Sequence, residues 1–344
     1  MEIIEILTPA YDAAWLPWAV QYFFLIGVAY TSAIMAGCLV FTAENSAARK
    51  LLPAAITVLA ISAVVAPIAL WADLQQPARF WHFYAYYTPW SWMSIGAVLL
   101  PLFVVLSLAF SALWWLGKTT WLRLCAVLLI LSALSILVYT GAEVMIIRAR
   151  PLWHTYFLPI NFALTGWLGA LGSMLLVARW LPGGVQALPA VLMRKLSLAA
   201  LGLLALGAVA WVISGLLGLD PSFNAATHLF STFPTWRLSL GASLVLALVL
   251  FLLLRVPAPV VCKPTYSLLC AFVMMAAAWV FRWIILMSVQ GVPKYGAGLY
   301  LHSMPLGGDG LLGLLGIFGL CVALVSIATW FLSRYPSFMR APAA

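Results

Sequence analysis

The sequence predicts an all-α, polytopic membrane bundle of about nine transmembrane helices, N-terminus outside and C-terminus cytoplasmic. Three observations carry this. Apolar residues make up 66% of the 344 and charged residues only 7%, whereas a soluble domain carries about 25% charged residues. Apolar runs long enough to cross a bilayer, which takes about 20 residues each, recur along the whole chain. Lys and Arg fall mostly on alternate connections, the asymmetry that sets membrane orientation.

The runs are 18–41, 51–72, 92–116, 121–143, 157–180, 195–218, 236–254, 266–289 and 310–333. Nothing else is long enough for a soluble domain. We therefore expect one integral membrane domain over 1–344, with a four-helix part (1–156) and a five-helix remainder (157–344). With the N-terminus outside, eleven of the seventeen basic residues lie on the cytoplasmic side, among them Arg49, Lys50, Lys118, Arg123 and Arg179. Seven of the eight acids fall outside, and only Glu44 lies inside. Trp15, Pro17 and Trp18 open the first run, and Trp81, Trp90 and Trp92 flank the long connection after the second. Amphipathic rings anchor helices at that depth.

The net charge of +9 does not indicate nucleic acid, because the basic residues are scattered and form no continuous patch. The five cysteines show no C-x-x-C spacing, so no zinc or iron–sulfur site and no disulfide framework is expected. The acidic start (Glu2, Glu5, Asp12) and the long first apolar run do not read as a cleavable signal peptide.

The histidines and most of the acids gather at one rim. His82, His154, His228 and His302 all lie in or beside outer connections. None is paired within a span as haem b ligation requires, so no haem is expected and no metal site is assigned. Asp73 ends the second run and Glu143 the fourth. Ionisable groups at membrane depth are costly and mark a functional site or a buried pair. Arg79 follows Asp73, and Arg148 and Arg150 follow Glu143, so structural pairing stands as the alternative. Arg282, inside the eighth run, is expected to meet an acid or a carbonyl of another helix. The inner halves of the spans carry no acid, which argues against a full proton wire. Pro67 and Pro101 interrupt two early runs without matching partners later, a weak signal for a carrier.

Two segments carry a resemblance. Trp71–Gly96 contains D-L-Q-Q-P-A-R-F (Asp73–Phe80) followed by S-W-M-S-I-G (Ser91–Gly96), and Tyr139–Gly141 reads Y-T-G before R-P-L-W at Arg150–Trp153. With the opening W-A-V-Q-Y-F-F-L-I-G (Trp18–Gly27), these resemble the NrfD-like family of polysulfide reductase membrane subunits over the first half of the chain. The resemblance implies a subunit of a bacterial inner membrane that oxidises quinol (menaquinol or ubiquinol) near the outer face. It would hold no haem or iron–sulfur cluster of its own. Electrons would pass to a periplasmic four-cluster iron–sulfur subunit and then to a molybdopterin catalytic subunit. Tetrathionate, thiosulfate, polysulfide and arsenate are all compatible acceptors.

The residues fit that role. Oxidising quinol takes an apolar pocket with a few polar groups and a proton acceptor. Asp73, His82 and Glu143 are the candidate proton acceptors, and Gln21, Tyr139 and Arg79 the candidate quinol-binding residues. The empty inner halves predict turnover that moves no net charge across the membrane. A secondary transporter and a purely structural anchor are the alternatives.

Overall fold

The computed structural model describes residues 15–291 and 303–334. Glu2, Glu5, Asp12, Lys294, His302 and Arg340, which enter the charge and histidine patterns, lie outside those residues.

Among the described residues nine helices are long and apolar enough to cross a membrane. They are α1 (Pro17–Val40), α2 (Leu52–Asp73), α3 (Trp92–Trp115), α4 (Thr119–Met145), α5 (Phe157–Val177), α6 (Ala190–Leu216), α7 (Pro234–Leu254), α8 (Pro264–Trp283) and α9 (Leu311–Arg334). The expected spans match these within a few residues. A bilayer leaves no water for the backbone, so every span closes its hydrogen bonds within itself as a helix. Prolines stand in the first turn of α1, α2, α7 and α8, where no helical N–H partner is lost.

The helix α1 is the axis of the bundle. It is buried almost throughout and packs on α2, α4, α5 and α8. It has no lipid-facing side, so it is apolar all round rather than amphipathic. The four-helix part and the remainder share one hydrophobic core through it. Small residues let the helices close up, as expected where packing replaces a hydrophobic driving force. A Cβ on Gly141 would fall 2.6 Å from Pro159, and one on Gly37 2.6 Å from Ile130. At the periphery, α6 and α7 bury little of their surface and expose rows of Leu, Val and Ile.

Between α6 and α7 the chain forms a 12-residue helix, Pro221–Thr232, capped by Asp220 through the N–H of Ser222. The search for spanning runs does not reveal it, because it is too short to cross the membrane. Beyond α8 the helix continues as a π-helical turn, Ile284–Ser288. Widening the turn frees carbonyls, and side chains take them. Trp153 Nε1 donates to the Ile285 carbonyl at 2.7 Å, and Gln290 Nε2 to that of Leu286 at 2.9 Å.

Candidate functional site: a lipid-facing cleft between α2 and α3

Near the rim where α2 ends and α3 begins, the two helices part around a cleft of about 570 Å³. Its walls are apolar, supplied by residues such as Ala63, Ile68, Met93, Leu100 and Val104. Its two groups with hydroxyl or carboxylate chemistry deep in the wall are Tyr139 and Glu143 of α4. They stand one turn apart, on the same face of the helix, within side-chain interaction reach of each other.

Local sequence explains this arrangement. The glycine of the S-W-M-S-I-G segment, Gly96, lies against the Tyr139 ring; a Cβ there would come 2.1 Å from Cζ. Only a glycine lets the tyrosine lie this close to α3. Ser94 Oγ accepts from the Thr88 N–H at 3.3 Å, tying the loop to the start of α3. The D-L-Q-Q-P-A-R-F segment folds over the cleft as a roof. Trp71 Nε1 donates to the Pro77 carbonyl at 3.1 Å, Arg79 Nη1 to Gln76 Oε1 at 2.8 Å, and Phe80, Phe83 and Tyr84 line the cavity.

Glu143 is 9% exposed, and its Oε2 has no hydrogen-bond partner among the described residues. A buried polar atom without a partner is costly, and this oxygen is able to accept a further hydrogen bond. Tyr22 of α1, 1% exposed, lies within electrostatic range of Glu143 and Tyr139. Its hydroxyl is likewise unpartnered among the described residues. Sequence reasoning missed Tyr22, although the opening motif contains it.

The other expected site residues lie elsewhere. Gln21, next to Tyr22, is turned about 100° away around the helix. It is satisfied at the opposite side, donating to the Leu314 carbonyl and accepting from Trp279 Nε1, both at 3.3 Å. Asp73 Oδ1 accepts from the Leu16 N–H at 2.9 Å, so this carboxylate caps the start of α1. Gln290 secures the same segment by accepting from the backbone N–H of Trp15 at 2.9 Å and donating to its carbonyl at 3.1 Å. Arg79 bonds Gln76 within its own loop, and no ion pair joins it to Asp73. His82 packs edge-on against Trp81 and Tyr86 and is not part of the cleft wall. His154 holds the Met145 carbonyl at 2.8 Å.

Arg282 meets carbonyls, one of its two expected kinds of partner. It is fully buried and donates to the Phe23 carbonyl at 2.8 Å, Thr165 Oγ1 at 2.7 Å and the Phe162 carbonyl at 3.0 Å. It lies over the Phe162 ring as well. Arg150 reaches the Val289 carbonyl at 2.8 Å, so this basic residue after α4 anchors the segment that follows the π-helical turn beyond α8.

Nine membrane-crossing helices among the described residues, one of them buried at the centre, together with an apolar-walled cleft that carries Tyr139 and Glu143, describe an integral membrane protein. Residues 7–294 match the family model described as polysulphide reductase, NrfD. The chain is 36% identical over 345 positions to one of the subunits of tetrathionate reductase from Salmonella typhimurium LT2, covering 94% of each chain. It therefore belongs to the NrfD family.

Proposed function

We propose that this chain is the membrane anchor of a reductase complex and oxidises quinol in the α2–α3 cleft. The observation that carries the reading is the free Glu143 oxygen at the polar end of an otherwise apolar cleft. A quinol dissolves in the bilayer and enters sideways. Its ring fits between apolar walls, and one hydroxyl donates to Glu143. Tyr139 and Tyr22 supply further hydrogen bonds around the ring oxygens.

Oxidation releases two electrons and two protons and leaves the quinone. Glu143 takes one proton, passes it to solvent at the nearby rim, and is then free for the second. Asp73 holds α1, and hence Tyr22, in place. By the charge asymmetry, this rim faces the outer side of a bacterial inner membrane. The electrons leave there to an iron–sulfur subunit and from it to a molybdopterin catalytic subunit. The similarity to a tetrathionate reductase subunit supports tetrathionate as acceptor, whose two-electron reduction gives two thiosulfates.

The test is Glu143→Gln in the assembled complex, assayed as quinol-dependent reduction of the terminal acceptor. Loss of a positioned proton acceptor lowers turnover roughly 10²–10⁴-fold, while dye-driven reduction by the outer subunits is retained. Quinol-driven turnover equal to wild type would remove Glu143, and the cleft with it, from the reaction.

A further inference from the structure

Two prolines inside the spans, Pro67 of α2 and Pro101 of α3, both line this one cleft. Pro67 lies six residues before the end of α2 and Pro101 nine after the start of α3, about 9 and 14 Å below the rim at 1.5 Å per residue. They therefore stand within one helical turn of the same depth on the two helices that border the opening. Each removes one backbone hydrogen bond and pushes against the preceding turn, which bends a helix. Ala63 and Ala97, whose carbonyls lose their usual partners, line the cleft as well.

The cleft does not stop at the polar groups. Along α3 its wall runs from Met93 to Leu108, about 22 Å of helix and more than the roughly 15 Å of one hydrocarbon leaflet. The ring site at Tyr139 occupies only its upper part. Below it the walls are apolar, and Val105 (63% exposed) lies on its open edge. A tail-less ring would leave this lower part to lipid.

We propose that Pro67 and Pro101 bow α2 and α3 apart into a lateral portal that seats the isoprenoid tail of the substrate. The prolines then set a preference for tail-bearing over tail-less quinols. This rests on the quinol reading of the same cleft. Straightening either helix closes the lower cleft and leaves the tail without its groove. A phospholipid acyl chain is the competing occupant of that groove.

The test compares an isoprenylated naphthohydroquinone with its tail-less counterpart on the assembled complex in membranes. The readout is the ratio of their kcat/KM values. Pro67→Ala and Pro101→Ala lower this ratio by about tenfold, through KM of the tailed substrate. Val104→Phe fills the groove without touching a helix break and lowers it likewise. It keeps the test decisive if a proline variant fails to assemble. A ratio equal to wild type in the assembled variants overturns the portal and assigns the groove to lipid. Glu143→Gln separates the two readings. If it abolishes turnover of both quinols while the ratio is insensitive to the groove, only the portal falls. If it leaves both substrates turning over, the cleft is not the reaction site.

Discussion

Replacing Gly96 with Ala tests the site without removing any polar group. The new Cβ would stand 2.1 Å from Tyr139 Cζ and 2.2 Å from its hydroxyl oxygen. Ordinary contact begins at 3.4 Å, so the ring has to retreat by more than 1 Å. Tyr139 is only 4% exposed and packs in the main core, which leaves it little room. Overpacking of this kind costs about 1–3 kcal/mol, too little to unfold a nine-span bundle. Its effect on the reaction is larger, because a misplacement of about 1 Å lowers turnover by roughly 10²-fold. The assay is quinol-driven acceptor reduction, normalised to the amount of assembled complex. If the effect runs through Tyr139, it shrinks sharply in a Tyr139→Leu background, since neighbours that share a contact are not additive. Wild-type turnover in assembled Gly96→Ala, or the same fold-loss with and without Tyr139, would refute the reasoning.

Arg282→Met removes the bonds to the Phe23 and Phe162 carbonyls and to Thr165 inside the bundle, while the Phe162 carbonyl keeps the Tyr30 hydroxyl and Thr165 keeps the Asn161 carbonyl. Losing hydrogen bonds from a charged donor, about 1.5–3 kcal/mol each, lowers the melting temperature in detergent, and Arg282→Lys recovers part of the loss. Gly27→Ala pushes a methyl to within 2.6 Å of Arg282 Nη2 and destabilises by the same measurement. Asp73→Ala removes the cap on α1 and costs about 1 kcal/mol. Asp73→Asn keeps an acceptor for the Leu16 N–H and stays close to wild type in melting and turnover. His82→Ala, in the exposed part of the roof, changes turnover by no more than about twofold, the size of an ordinary surface substitution; a loss comparable to Glu143→Gln would place His82 in proton transfer.

The family motifs were visible in the sequence, but their work became clear only in three dimensions. The D-L-Q-Q-P-A-R-F segment roofs the cleft, and its aspartate caps a helix. The glycine of S-W-M-S-I-G makes room for the tyrosine of Y-T-G. Tyr139 and Glu143, both chosen from the sequence, meet in the cleft. Gln21, Asp73, His82 and Arg79 share their rim but not their wall. Pro67 and Pro101 looked like unmatched interruptions of two separate runs, yet they border one opening. Pairing across helices is a property of packing and leaves no trace in either run alone.

The order of residues alone determined that the chain lives in a membrane, crosses it about nine times and places its histidines and most of its acids toward one end. Hydrocarbon enforces this, because a backbone without water must close its own hydrogen bonds and a charge must stay near a rim. The rotation of each helix was left to tertiary packing. One residue along α1 turns a side chain by about 100°, so only the neighbours of α1 decide that Tyr22 faces Glu143 while Gln21 faces Leu314 and Trp279.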